Sequence, residues 1–575
     1  MEFLRVARIF DRMESTSSRL RLTAELADLF KSSKSSEIRV LVYICQGVLV
    51  PPFKGVDLGI GDKLAQQSIS IVSGTQVTEV ESLYRKTGDL GVVAQRLFEK
   101  KQQRALGFKP LTVEKVYGNF YRVATASGFG SQDLKVKLLA ELLSNSRETE
   151  AKTIVRFVTG NMRIGIGSPT ILDAFSTMKV GDKSLRPTLE RAFNLTSDLG
   201  GVAEELFKNG IKSLERASPV AFSPVMPALA ERLGSSKEII KKIGRCVVEP
   251  KFDGMRLQVH KKNDEVMIFS RRQEPVTRMF PDIVEAVIKQ VKAKDAIFEG
   301  EAVAFNKKTG KFLPFQKTIQ RKRVYGVREK TKEIPLKLFA FDVLYADGKD
   351  LTLVPFSSRK KKLKSMLSKN GLIVLFQSIV TGSARKLEDF FKESVNAGLE
   401  GVIAKDLNAP YVAGARKFAW IKLKGSYQSG LADSFDLVIV GYYYGKGKRT
   451  KFGFGGLLTA AYDDEKNVFK TVAKIGTGFS EEQLKYFSKT LAKITTAKKP
   501  LQVVSLLEPD LWVEPVYVVE VRADEITRSP THTCAMGKNK EGLALRFPRL
   551  MSLREDKAPK DATTEKEVSN MFESQ

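Results

Sequence analysis

The stretch Cys246-Val-Val-Glu249-Pro250-Lys251-Phe252-Asp253-Gly254-Met255-Arg256-Leu-Gln-Val-His260 decides how the rest of the chain is read. It predicts a strand, a tight turn and a second strand. Val247 and Val248 bring the chain in, Pro250 and Gly254 supply turn chemistry, and Met255, Leu257 and Val259 alternate with Arg256, Gln258 and His260 as in a half-buried strand. Lys251 therefore stands at a strand edge among the fixed charges of Glu249, Asp253 and Arg256, the setting in which a lysine becomes a nucleophile. Lys-x-Asp-Gly also decorates ordinary turns. What separates the two readings is whether charged and aromatic residues follow in an order that can surround a nucleoside triphosphate.

The surrounding composition limits the choices. With 575 residues, 42% hydrophobic and 28% charged, the chain is long enough for three or four domains with large cores. Lys and Arg number 95 against 66 Asp and Glu, a formal net charge of +29, which points to a polyanionic partner: nucleic acid first, an anionic membrane surface second. Cys45, Cys246 and Cys534 are isolated and odd in number, so a disulfide framework and a Cys-x-x-Cys zinc site are both excluded. His260 and His532 are too few for histidine chemistry and are expected as surface or strand residues. The opening Met1-Glu-Phe-Leu-Arg-Val-Ala-Arg is an amphipathic helix start, and the apolar run near Val40 to Val50 is broken by Gln46 and Gly47. Neither secretion nor a membrane span is expected, and the location is expected to be cytoplasmic.

Residues 1–235 show helical spacing: Phe3, Val6, Ala7 and Phe10; Leu22, Leu26 and Leu29; Val92, Val93 and Leu97; Leu138, Leu139, Leu142 and Leu143. The loops Gly88-Asp-Leu-Gly91, Gly128-Phe-Gly-Ser-Gln-Asp133 and Gly165-Ile-Gly-Ser-Pro-Thr170 place glycines and caps before helices. These are either plain caps or, beside Lys135, Lys137, Arg156, Arg163 and Arg186, contacts for a duplex backbone.

Pro219 to Pro227 is a proline-punctuated connector, after which strands dominate. In 236–426, Glu265 to Ser270 reads as a strand ending at Arg271, and Ile297 to Phe305 as another that puts Glu299 and Glu301 on one face, a metal pair or a solvated edge. Leu336 to Tyr345 is a buried strand carrying Phe341 and Asp342. The basic run Arg359 to Lys364 is expected on a helix surface. Glu400-Gly-Val-Ile-Ala-Lys405 and Arg416 precede a strand that stacks Trp420, Lys422 and Lys424 on one face. Residues 427–557 read as a small barrel of the oligonucleotide-binding (OB) type, with Gly445-Lys-Gly-Lys-Arg-Thr-Lys451 as a basic hairpin and Arg546-Phe-Pro-Arg549 and Arg554-Glu-Asp-Lys557 at its end. Residues 558–575 form a polar tail expected to fray.

This ordered set resembles the covalent nucleotidyltransferases, and specifically the ATP-dependent DNA ligases of the archaeal and eukaryotic replicative type. The resemblance covers nearly the whole chain, and the compact start is more like archaeal members. It implies a multidomain α+β fold: a helical DNA-binding domain, an adenylation domain and an OB-fold barrel. It further implies ATP as nucleotide donor, Mg²⁺ or alternatively Mn²⁺, and nicked double-stranded DNA as substrate in replication, repair and recombination by a monomer. Lys251 would carry AMP, Phe341 would stack on adenine, and Glu249 would read its edge. Arg256 and Arg271 would hold ribose and phosphate or the 5′-phosphate of the nick, and Arg416, Lys422 and Lys424 would neutralise phosphates. Glu301 and Glu400 would face the metal, with Asp253 assisting or bracing the turn. On the barrel, Arg546, Arg549 and Lys557 join the list, Arg549 and Lys557 reaching pyrophosphate when the domain closes. A sliding clamp is a candidate partner only through Gln103-Arg-Ala-Leu106-Gly-Phe108, which lacks paired aromatics and reads equally as a helix end. A capping guanylyltransferase or RNA ligase shares the lysine chemistry but not the helical first domain. A DNA-binding scaffold would need no intact lysine set, and NAD-dependent ligation would need a cysteine zinc module.

Overall fold

The computed structural model describes all residues except 17, 100–108, 161, 314, 322–324, 425–433, 446, 497, 538 and 575. The chain divides into two compact units, Met1–Lys424 and Gly425–Gln575. Among the described residues no helix is long and apolar enough to cross a membrane.

The first part of unit 1 is helical, as the spacing requires. Helix Phe3–Glu14 buries Phe3, Val6, Ala7, Phe10 and Met13, and helix Ser131–Ser144 buries Leu138, Leu139, Leu142 and Leu143. Stacked ring pairs, Phe30 on Phe175 and Phe120 on Phe157, lie with centroids 4.4 and 4.3 Å apart. One expected DNA contact is a core residue instead. Arg156 is 4% exposed and is locked by Asp89 and Glu14, each at 2.7 Å, while Asp89 also caps helix Leu90–Glu99 through Gly91 N–H at 2.9 Å. A guanidinium that ties three helices together is not available to phosphate.

The connector after the helices is fixed on both sides. Val225 N–H donates to Gln258 Oε1 at 2.7 Å and Gln258 Nε2 returns a bond to Val225 C=O at 3.0 Å, while Met226 N–H donates to Asn194 C=O at 2.7 Å. Strand β1 (Leu229–Arg232) then joins a five-stranded sheet with β2 (Cys246–Lys251), β9 (Ile379–Thr381), β10 (Gly401–Asp406) and β11 (Arg416–Lys424), in the order β1-β11-β10-β2-β9. The strand region thus begins before residue 236. A second sheet is built on β3 (Met255–Lys262), β4 (Glu265–Ser270), β5 (Asp295–Ala304) and β6 (Leu336–Ala346), ordered β4-β3-β5-β6, with β7 (Lys349–Asp350) and β8 (Ile373–Leu375) at its edge. The turn after Lys251 is the crossing point from one sheet to the other. Gly254 makes it possible, since a Cβ there would lie 2.6 Å from Ala302 C=O on β5.

Unit 2 is an antiparallel half-barrel, consistent with an OB-fold. Its centre is β12 (Ser434–Tyr443), β13 (Gly456–Asp463) and β14 (Val468–Ile475), and β12 also pairs with β15 (Val518–Arg522). The basic connection between β12 and β13 is a 3₁₀ turn, Gly447–Phe452, with the Lys451 ammonium 4.6 Å from the Phe452 ring. The tail does not fray. Glu565–Ser574 is a helix whose Val568 is fully buried in the barrel core with Met571 and Phe572 against it, and Glu565 accepts from Lys470 at 2.7 Å. Its polar composition hid one apolar stripe.

Candidate active site

Two sheets meet at Lys251, and their facing strands build the site. Lys251 is the last residue of β2, and its Nζ lies 2.6 Å from Glu400 Oε2, in the residue just before β10. Glu400 N–H donates to Lys251 C=O at 3.0 Å, so backbone pairing sets the ion pair. Lys424, at the end of β11, approaches the same carboxylate at 3.0 Å, and Asp253 lies near enough to interact with it. Burial opposes ionisation of Glu400, but Lys251 and Lys424 outweigh it and bring the carboxyl down to about 2. Across the cleft on β5, burial pushes the Glu301 carboxyl up to about 7, with Lys251 and Arg256 opposing the rise and Glu400 and Asp253 adding to it. Lys251, Asp253, Glu301, Glu400 and Lys424 therefore form one electrostatic group.

Glu299 does not join Glu301 as a metal pair. It is 1% exposed and accepts from Arg256 Nη2 at 2.8 Å and Tyr411 OH at 2.8 Å, so its lone pairs are taken within the protein. Arg256 is fixed further by Ala228 C=O at 2.7 Å. Its guanidinium carbon stands 5.4 Å from the centroids of both Phe341 and Trp420. Phe341, on β6, meets Trp420 edge to face at 5.8 Å, and the strand alternation does place Trp420, Lys422 and Lys424 opposite the buried Ile421 and Leu423.

Glu249 stands two residues before Lys251 on the same strand face. Its oxygens are divided between two ammonium groups, Lys360 Nζ at 2.5 Å on Oε1 and Lys405 Nζ at 2.7 Å on Oε2. Burial would raise this carboxyl; Lys405 and Lys360 reverse that and hold it below the usual range. Lys405 is ringed by Phe341, Phe356 and Trp420 at 4.4 to 4.7 Å, and burial pushes its ammonium down from the ordinary value against the pull of Glu249.

This arrangement, a lysine nucleophile candidate beside carboxylates, an aromatic shelf and a ring of cations, has counterparts. Three family models match most of the chain: DNA ligase N terminus over residues 2–176, ATP dependent DNA ligase domain over 227–424, and ATP dependent DNA ligase C terminal region over 450–557. A probable DNA ligase of Dictyoglomus thermophilum is 47% identical, covering 100% of this chain and 98% of its own length. The chain belongs to the ATP-dependent DNA ligase family. DNA ligases of Saccharolobus solfataricus and Acidianus ambivalens, 44% and 43% identical with the same coverage, place archaeal members among its relatives. The solved structure named Pmar-Lig_PreS3 shares the fold at a TM-score of 0.57 and 17% identity, over 95% of this chain and 99% of that one.

Other residues the ligase resemblance singles out stand at further positions of unit 1 or belong to unit 2. Arg271 is exposed at the rim of a narrow crevice shared with Arg256, Gln273 and Glu299. Arg416 opens β11, its side chain lying outside the described residues, as does the whole of the 103–108 clamp segment. Arg546, Arg549 and Lys557 belong to unit 2. There Arg546 pairs with Glu525 at 2.6 Å, Lys557 pairs with Asp436 at 2.6 Å, and Arg549 is exposed. In the helical part, Arg186 pairs with Asp173, Arg163 with Asp89, and Lys135 donates to Leu58 C=O, leaving Lys137 exposed.

The basic run 359–364, expected on the surface, supplies two inward residues. Arg359 is fully buried against Asp342 at 2.8 Å, and Lys360 reaches Glu249. A signal existed for Arg359, which falls between Phe356 and Leu363 at helical spacing on the buried stripe of helix Phe356–Met366. Tyr411 and Lys360 carried no such mark.

Proposed function

We propose that the cleft around Lys251 performs the adenylation step of ATP-dependent nick sealing, and the observation that carries this is the Lys251–Glu400 ion pair at 2.6 Å, set by backbone pairing between two strands. The Lys251 amine attacks the α-phosphorus of ATP; a P–N bond forms, the α–β P–O bond breaks, and pyrophosphate leaves. AMP then passes to the 5′-phosphate of a nick, and the 3′-hydroxyl displaces it to close the strand. In such transfers positioning and charge neutralisation do most of the work.

Phe341 supports the adenine face, Glu249 accepts from its 6-amino group, and Arg256 with Arg271 steadies ribose and phosphate. Arg416, Lys422 and Lys424 offset the triphosphate charge. Glu301 and Glu400 offer carboxylate oxygens, the donor type a hard divalent cation takes, in one electrostatic group with Asp253. Glu301 and Glu400 would hold Mg²⁺, or Mn²⁺ in its place. Bound there, the ion supplies charge that neutralises the phosphates.

The test needs no DNA. Protein incubated with Mg²⁺ and α-labelled ATP acquires acid-labile label on the denatured chain, and Lys251→Ala abolishes it while keeping the fold; label persisting in the variant assigns the nucleophile elsewhere.

A further inference from the structure

The geometry points to Lys360 as a specificity residue for the nucleotide base, donating a hydrogen bond to the ring nitrogen that flanks the 6-amino group of adenine. This rests on the reading above that adenine lies on Phe341 against Glu249.

The two lysines on Glu249 are not equivalent. The Lys405 side chain is 2% exposed, enclosed by three aromatic rings, and donates also to Phe341 C=O at 3.3 Å, so it is a fixed counter-ion. Lys360 is 25% exposed on helix Phe356–Met366 and makes two bonds, to Glu249 Oε1 at 2.5 Å and to Ser378 Oγ at 2.8 Å. An ammonium has three donors, and a third acceptor for this one is absent among the described residues. Of the two cations, only Lys360 can meet an entering ligand.

A carboxylate offers acceptors alone. Glu249 and Lys360 together offer an acceptor and a donor side by side, 2.5 Å apart, and the edge of adenine carries the complement: the 6-amino donor with an acceptor nitrogen, N1 or N7, on each side of it. Once Glu249 takes the amino group, the ammonium already on the same oxygen lies within reach of one of these nitrogens. Charge-assisted bonds of this kind discriminate well because a base lacking the acceptor covers the ammonium from water and leaves its third donor unpaired.

The experiment measures kcat/KM for lysyl-nucleotide formation with ATP, 1-deaza-ATP and 7-deaza-ATP in the full-length protein, Lys360→Met and Lys360→Arg. One deaza analogue is expected to react roughly ten-fold more slowly than ATP in the native protein. In Lys360→Met that penalty vanishes, with ATP itself falling to the analogue's level, and in Lys360→Arg, which keeps a donor, the penalty returns. A native protein that treats all three nucleotides alike overturns the assignment, as does a penalty that survives in Lys360→Met. Both results leave ATP labelling of Lys251 intact; absence of that labelling would instead defeat the underlying reading of the pocket.

Discussion

His260 is wholly buried on β3, its Nδ1 accepting from Phe222 N–H and its Nε2 facing Gln258 Oε1, each at 3.0 Å. Burial pushes it down to about 3, and His532, also buried, down to about 4. In the unfolded chain both titrate near 6.5. The folded pKa is depressed, so the stabilisation is fully present above pH 6.5 and is lost as the pH falls towards the folded value. Each histidine thereby costs about 2 kcal/mol of stability between pH 7 and pH 5. Urea unfolding of His260→Asn at the two pH values should show that difference reduced by about 2 kcal/mol; an unchanged difference would assign the acid loss to other groups. Position on a strand was legible for His260 from the alternation with Leu257 and Val259. Its burial was not, because β3 is covered on the second face by the connector, whose docking no local pattern reveals.

Strand β10 shows how a single backbone position supports the site. Gly401 has φ near +141°, and a Cβ there would sit 2.1 Å from Leu423 C=O on β11. Gly401→Ala must push β11 away or swing Glu400 from Lys251, at a cost of about 2–4 kcal/mol for strain and lost pairing. Its thermal midpoint should fall, and its adenylation rate should fall well beyond what the residual folded fraction explains. The C-terminal helix makes an independent case in unit 2. Val568→Asp buries a carboxylate in the barrel core and should destabilise by more than about 3 kcal/mol, read as a drop in the unfolding midpoint. A frayed tail would tolerate it. The helix escaped notice because Val568, Met571 and Phe572 are three apolar residues among charged ones, too few for periodicity to stand out until the barrel supplies their partner surface.

At the scale of the molecule, the charge of +29 governs encounter with DNA. In the helical part Arg156, Arg163 and Arg186 are held in internal ion pairs, so DNA phosphates are met by other cations first. With about six phosphates neutralised, affinity for nicked duplex should fall roughly 10³-fold between 50 and 200 mM salt; a flat dependence would contradict an electrostatic footprint. By itself the sequence determined the helical and strand regions, through periods of 3.6 and 2, the turn that presents Lys251, and the ordered motifs that mark the ligase family. Only the tertiary structure decided which charges meet. Lys360 and Glu249 are 111 residues apart, and Arg156 and Glu14 142, and each pair exists because sheet register and helix packing bring them together in low dielectric. A charge carries no sign in the sequence of where its partner lies, so whether a lysine faces water, a carboxylate or a nucleotide is settled by packing.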